Sequence, residues 1–427
     1  MADLRALLEK KIPAWRAEVR ELLTVHANTV VSSITVEQLF KGLRGVEAVV
    51  CDTSYVDPQE GLFIRGIPVL ELMNRSAEEI FFLLCTAELP DKNALEQLQN
   101  DLARRAQVPE YVWKVMESVP QDSNPMALLS MAMIAMQRES VFLKRYNEGM
   151  AREEHWKATL EDALNIIARL PVIAAGIYRK HILKEALCPP LAGDGFMENF
   201  ARMLGIEDPG GSFREFIRRF VVVHSDHEGA NASVLTSRIA NSSLSDLYLS
   251  ISAAMNSLSG PLHGLANQES VKFALQILKK IKGVPKNKEL EKYLREFLQS
   301  GSVIPGFGHA VLRHKDPRYT ALFEFGKKVC PEEPLFQLVE KLGEIVPPLL
   351  IEQGKAKNPY PNIDGISGVL LYHFGIKELN FYTAMFSTSQ ILGICAQLVI
   401  NRAIYSPIIR PKSVTTSWLQ SYVSDVI

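Results

Sequence analysis

Apolar residues recur at three- and four-residue intervals along most of the chain, the spacing that gathers them on one face of a helix. Leu4, Leu7, Leu8 and Ile12 make one such stripe near the N-terminus, and Val271, Ala274, Leu275 and Leu278 make another within residues 267–281. A small-residue apolar run from Leu247 to Leu258 predicts a further helix. Strand-like signals are confined to residues 47–68, where Val49, Val50 and Phe63, Ile64 flank Asp52-Thr53-Ser54 and Asp57-Pro58-Gln59-Glu60-Gly61. That pattern predicts a small β-hairpin or ribbon. Residues 279–288, with Gly283, Pro285 and several lysines, read as an exposed turn between helices. No internal repeat or low-complexity tract is visible, so the expected fold class is mainly α.

Composition narrows the function classes. The 427 residues carry 47 Lys and Arg against 48 Asp and Glu, so no global field draws the chain to nucleic acid or an anionic membrane, and neither partner is expected. Any polyanion must be held by local clusters. The five cysteines, Cys51, Cys85, Cys188, Cys330 and Cys395, are widely spaced and lack metal-ligand spacing, which argues against a disulfide framework or a structural zinc. The start Met1-Ala2-Asp3-Leu4 lacks the pattern of an export signal. The sequon Asn231-Ala232-Ser233 would matter only in a secreted chain. Apolar stretches such as Ile391 to Ile400 are about half of the roughly 20 residues that span a bilayer.

Candidate chemistry concentrates between residues 224 and 364. His224, His227, His263, His309 and His314 cluster there, whereas His26, His155, His181 and His373 read as structural. His263 lies in Ser-Gly-Pro-Leu-His-Gly before the helix expected to start near Asn267. A helix N-terminus disfavours imidazolium, and a neutral imidazole can donate to a developing enolate oxygen. A capping histidine after a Gly-Pro break fits equally well. In Ile304-Pro305-Gly306-Phe307-Gly308-His309 two glycines allow close approach of backbone to a ligand such as a nucleotide. Asp316 as N-cap and Pro317 at the first helical position put Arg318 in a first turn, as a carboxylate clamp or a solvated surface arginine. Two prolines stiffen the loop that delivers Asp364, and the apolar Val369-Leu370-Leu371 that follows suits either a desolvated general base or a helix cap. Lys355 and Lys357 on that loop could meet phosphates. His224, His227 and Glu228 invite a metal reading, but substrate binding by His227 is the better use, and no metal is expected.

These segments resemble the citrate synthase family, in the branch that includes the mitochondrial enzymes of animals. His-Ser-Asp-His-Glu-Gly at 224–229, Gly-Pro-Leu-His-Gly-Leu-Ala-Asn-Gln-Glu at 260–269, Pro-Gly-Phe-Gly-His-Ala at 305–310 and Pro-Asn-Ile-Asp at 361–364 stand in the family's order and spacing. The resemblance implies a homodimer with a large helical domain (1–264 and 376–427) and a smaller mobile helical domain (265–375). It implies that the match to Asp364 takes a proton from the methyl group of acetyl-CoA, that to His263 hydrogen-bonds the enol oxygen, and that to His309 polarises the carbonyl of oxaloacetate. It further implies carboxylate binding by His227, Arg318 and Arg410, the last contributed to the partner's site. Acetyl-CoA binding falls by resemblance to Ile304, Pro305, Gly306, Phe307, Gly308, Arg44, Arg313, Lys355 and Lys357, with Arg152 contributed by the partner subunit. Acetyl-CoA is a substrate and no cofactor is implied.

One departure bears on specificity. Where the family carries a further carboxylate-binding arginine this chain has Gln390, and the Gly365-Ile366 pair after the candidate base is less bulky than usual. The expected function is citrate synthase. The alternatives are a related condensing enzyme, such as a 2-methylcitrate synthase or one using another 2-oxo acid, and a non-catalytic paralogue that binds CoA or citrate. The expected location is the cytoplasm, or the mitochondrial matrix if a leader has been removed.

Overall fold

The N-terminal stripe forms the helix Leu4–Val25 in a computed structural model that describes residues 3–191, 193–354 and 356–426. Leu4, Leu8 and Ile12 are buried, and Asp3 caps the helix by accepting from the Ala6 N–H at 2.8 Å. The predicted helix Leu247–Leu258 forms with those bounds, capped by Asp246. The stripe at Val271 lies in the helix Ala266–Ile281, which buries Val271, Ala274 and Ile277. Lys282 at φ +62 ends that helix and the next begins at Asn287, so the lysine-rich turn spans 282–286, shorter than the sequence suggests.

Three antiparallel strands, β1 (Ser54–Asp57), β2 (Gly61–Ile64) and β3 (Ile67–Pro68), make up the only sheet among the described residues. Ser54 pairs with Ile64 and Asp57 with Gly61. Asp57 Oδ1 accepts from the N–H groups of Gln59 and Glu60 at 2.8 and 2.9 Å and shapes the turn. The expected ribbon is therefore present, but residues 47–53 carry no strand. Gly61 sits against Pro317, so the ribbon abuts the start of the helix Pro317–Val329.

The core is built around the helices His155–Gly176 and Tyr382–Ala403, which pack together. The length argument of the sequence fails for the second one. The stretch Leu379–Ala403 is long and apolar enough to cross a membrane, as is Pro125–Asn147. Its most apolar window is nevertheless 94% buried inside the protein, and its polar side chains have internal partners. Gln397 donates to the buried Asp226 carboxylate at 2.8 Å, and Thr53 and Ser54 at the head of the ribbon donate to the same carboxylate at 2.5 and 2.9 Å. Asp226 thus ties ribbon, core helix and the segment bearing His227 into one unit.

The helices Ala266–Ile281, Asn287–Gln299, Pro317–Val329, Pro334–Gln353 and Asp364–His373 pack mainly on one another. Between the two groups of helices lies the cavity described below. Gly393 makes the seat of Asp226 possible, because a Cβ there would come within 2.6 Å of Asp226 Cγ. Gly393→Ala is expected to lower stability by about 1–3 kcal/mol through overpacking, measured by urea unfolding; unchanged stability would show that the seat is not tightly packed.

Candidate active site

A cavity of about 230 Å³ is lined by His227, His263, Asn267, His309, Arg318 and Asp364, with Val223, His224, Asn231, Asn362, Phe386 and Gln390 among its other walls. One of its walls, Arg318, is held in an ion pair. Asp316 caps the Pro317–Val329 helix through the Arg318 N–H at 3.0 Å and grips the Arg318 guanidinium through Nε at 3.0 Å and Nη2 at 2.9 Å. Its second oxygen also accepts from the Ile363 N–H at 3.1 Å, one residue before Asp364. Both partners are almost fully buried. Burial pushes the Asp316 carboxyl up, but the guanidinium and its hydrogen bonds outweigh this and hold it below the usual range. Arg318 is therefore no solvated surface residue; its Nη1 has no protein partner among the described residues.

His309 and His227 face each other with ring centroids 5.7 Å apart. Nδ1 of His309 accepts from the N–H groups of Val311 and Leu312 at 3.1 and 3.0 Å. An imidazole nitrogen that accepts twice carries no proton, so the ring is neutral with its hydrogen on Nε2. Burial, then the Arg318 charge, lowers its pKa to about 4. The same two causes, with His309 beside it, take His227 to about 3. The third candidate, His263, lies in the turn 261–265 two residues before the N-cap Leu265, not at the end of the helix that follows. The expected helix N-terminus is nonetheless there, supplied by another helix. Ser233, in the first turn of Ala232–Ser242, donates its backbone N–H to His263 Nε2 at 3.2 Å, and its hydroxyl lies 2.9 Å from the same atom. His263 is thereby the opposite tautomer, with its hydrogen on Nδ1, and burial lowers its pKa.

Asp364 is the first residue of the helix Asp364–His373, whose N-cap is Ile363, and the Asp364 carboxylate accepts from none of the helix N–H groups. The capping alternative therefore fails. Its own N–H donates to Asn362 Oδ1 at 3.0 Å, while its carboxylate accepts no hydrogen bond among the described residues. Burial raises it to about 6, against the opposing pull of Arg318. The loop that delivers it is zipped to the glycine-rich turn. Asn362 N donates to Gly306 O at 3.0 Å, Gly308 N to Tyr360 O at 3.0 Å, and Asn362 Nδ2 to Gly308 O at 2.7 Å. Gly306 has φ +81 and a Cβ there would meet Gly365 Cα at 2.8 Å. The unusual Gly365 is therefore in backbone contact with the turn.

Gln390 lies in the cavity wall, 2% exposed, and its Nε2 donates to Ser233 Oγ at 2.9 Å. His224 is closed to a metal through Nδ1, which donates to Phe220 O at 2.8 Å with its ring between Phe220 and Phe386. No group of three His, Cys, Asp or Glu among the described residues could hold a metal ion. The structural readings of His155 and His373 agree with their packing on Phe142 and pairing with Glu333.

The remaining expected residues are not gathered at the cavity. Arg313 reaches back to Ala310 O and Leu312 O, and its N–H joins the ribbon at Pro58 O, 2.8 Å away. Arg152 lies over the Tyr405 ring at 4.6 Å and donates to Tyr405 O. Arg44, Lys357 and Arg410 are exposed and do not line it, and Lys355 lies outside the described residues. Asn231, Ser233, Asn267 and Asn362 are cavity or supporting residues that the sequence reading passes over; the first and second stood out only as a sequon.

Two neutral histidines and one raised carboxylate line one cavity with a buried guanidinium, the kinds of group that proton transfer and carbonyl polarisation call for. The family model for the citrate synthase C-terminal domain matches residues 42–412. Citrate synthase 4, mitochondrial, of Arabidopsis thaliana is 41% identical, covering 98% of this chain and 90% of its own. The mitochondrial citrate synthase of Daucus carota is 40% identical, covering 98% and 91%. The crystal structure of citrate synthase from Pyrobaculum aerophilum superposes with TM-score 0.78 at 25% identity, over 91% of this chain and 95% of that one. The chain belongs to the citrate synthase family: it has the mainly α fold of that family, and it is an acyltransferase of the citrate synthase type. The related condensing enzyme and the non-catalytic paralogue find no support in these relatives.

The raised Asp364 makes a prediction about stability. The folded protein keeps the Asp364 proton to higher pH than the unfolded chain, so this group's contribution is full below about pH 3.8 and is lost as pH rises through about 6. Asp364→Asn should therefore stabilise the fold above pH 6 by about 1–2 kcal/mol, less than the full shift because the cavity admits water, and by nothing near pH 4. Denaturant unfolding at both pH values checks it; equal stability throughout would mean that burial does not raise the carboxyl.

Proposed function

We propose that the cavity joins the methyl carbon of acetyl-CoA to the carbonyl carbon of oxaloacetate and then hydrolyses the thioester, with His263, His309 and Asp364 as the reacting groups. The observation that carries this reading is the pair of fixed, opposite tautomers beside a desolvated carboxylate. Asp364 takes a methyl proton, and the Nδ1–H of His263 hydrogen-bonds the thioester oxygen as it becomes an enolate. The Nε2–H of His309 draws electron density from the oxaloacetate carbonyl. The enolate carbon attacks that carbonyl, forming the C–C bond as the carbonyl π pair moves to oxygen, and the alkoxide formed takes up the proton that Asp364 removed. Asp364 then returns to its ionised form, and hydrolysis of citryl-CoA gives citrate and CoA.

Arg318 and His227, beside His309, suit one carboxylate of oxaloacetate, with the Asp316 grip holding the guanidinium in place. Arg410 of the partner subunit completes the site. A second copy of the chain is the natural cover for the exposed apolar side chains Val30, Val31, Ile408, Val414, Trp418 and Tyr422. Acetyl-CoA runs along the turn 304–308, with Arg44, Arg313, Lys355, Lys357 and Arg152 of the partner subunit as its phosphate contacts; for the partner's Arg152 this requires release from Tyr405. The reaction as written calls on no resident cofactor. The helices of residues 265–375, which pack mainly on one another, are the smaller domain that closes over the substrates. The relatives named mitochondrial support the matrix as location and give none to the cytoplasm.

Release of CoA thiol from acetyl-CoA, as oxaloacetate is varied, tests the reading. Wild type should release thiol as a dimer by light scattering, and Gln390→Arg should lower the KM for oxaloacetate about ten- to a hundredfold by adding a charged hydrogen bond. No release from a folded dimer would overturn the assignment of substrates.

A further inference from the structure

Hydrolysis needs a water held against the thioester carbon, and the uncharged amides of the cavity wall differ in what they have left to hold one. Asn231 gives both its atoms to the protein: Oδ1 accepts from Val234 N at 3.2 Å, and Nδ2 donates to His227 O at 2.6 Å. Asn362 is held at both ends by Asp364 N and Gly308 O. Gln390 is engaged with Ser233. Asn267 is the exception. It is 4% exposed, it lines the cavity, and its carboxamide makes no hydrogen bond among the described residues, with Oδ1 buried and unpartnered. Buried carboxamides are ordinarily satisfied.

Its position gives that carboxamide a task. Asn267 is the second residue of the helix Ala266–Ile281, four residues after His263, and its backbone carbonyl packs against Gly368, one turn beyond Asp364. It therefore stands on the side of the cavity where His263 and Asp364 meet the thioester. A carboxamide oxygen requires a donor, and neither the thioester end of acetyl-CoA nor ionised oxaloacetate has one. Water does. A half-turn about χ2 exchanges the amide's oxygen and nitrogen, so either can face the cavity.

We propose that Asn267 is a catalytic residue for the second half of the reaction, holding the water that hydrolyses citryl-CoA; the inference rests on the function proposed above. The water oxygen adds to the thioester carbonyl carbon and the C–S bond breaks. One water proton passes to the Asp364 carboxylate and on to the departing thiolate, and the other leaves the new carboxylic acid to solvent, giving a citrate carboxylate and CoA thiol. Asn267 aims the lone pair of the water at the carbon and takes no part in removing the methyl proton.

The test compares two half-reactions in Asn267→Ala and Asn267→Asp: hydrolysis of supplied citryl-CoA, followed as thiol release, and exchange of the acetyl-CoA methyl protons with heavy water. Asn267→Ala should slow hydrolysis roughly 10²-fold more than it slows exchange, the usual cost of a misplaced reactant. Citryl-CoA should then accumulate in a single turnover by mass spectrometry. Asn267→Asp, which keeps an acceptor oxygen in place, should recover part of the hydrolysis. Equal loss of both half-reactions, or wild-type hydrolysis in Asn267→Ala, overturns the proposal. A wild-type protein that neither exchanges protons nor hydrolyses citryl-CoA overturns instead the reading beneath it.

Discussion

The Asp316–Arg318 pair is the interaction on which the rest of the site depends. One carboxylate caps a helix, grips a guanidinium and anchors the backbone one residue before Asp364. Removing one partner of such a buried pair costs about 3–5 kcal/mol, because the other charge is left without compensation. The charge also reaches outward. Arg318 opposes the rise of Asp364 and deepens the fall of His309 and His227. Burial first, and this positive group second, keep the two imidazoles neutral, while the same group limits how far burial raises the carboxyl.

Neutrality alone would not make the histidines useful. What directs them is backbone: two N–H groups on His309 Nδ1 and one on His263 Nε2 leave each ring a single hydrogen, on opposite ring positions. A side-chain partner could rotate or titrate away, whereas an amide in a turn or a helix end cannot. The contact between Gly306 and Gly365 does the corresponding work for Asp364, since a Cβ on Gly306 would collide with Gly365 Cα at the head of the Asp364–His373 helix.

Much of this was legible in the sequence. The 3.6-residue stripes led to the helical fold, and the motifs around 224, 263, 309 and 364 led to four of the cavity's walls. The supports were harder to see. His263 takes its tautomer from Ser233, thirty residues away in the chain, and no local pattern announces a hydrogen bond that only the packing of two helices creates. The Leu379–Ala403 segment misled in the other direction, because its Gln390 and Gln397 look like interruptions until their partners Ser233 and Asp226 are known. Arg152 and Arg313, expected at a ligand, rest on backbone carbonyls of their own subunit. Sequence spacing carries no information on whether such a side chain is already engaged.

The central claim is that both reacting histidines are neutral donors of fixed and opposite tautomer. Long-range ¹H–¹⁵N NMR of the histidine rings, followed from about pH 8 down to about pH 5 across the range where ordinary histidines titrate, tests it most directly. The account predicts that His263 holds its hydrogen on Nδ1 and His309 on Nε2 at neutral pH, that His309, at about 4, stays uncharged over that range, and that His263 charges only below the pH at which an ordinary histidine does. An imidazolium at neutral pH at either position, or the reverse tautomer, would contradict it.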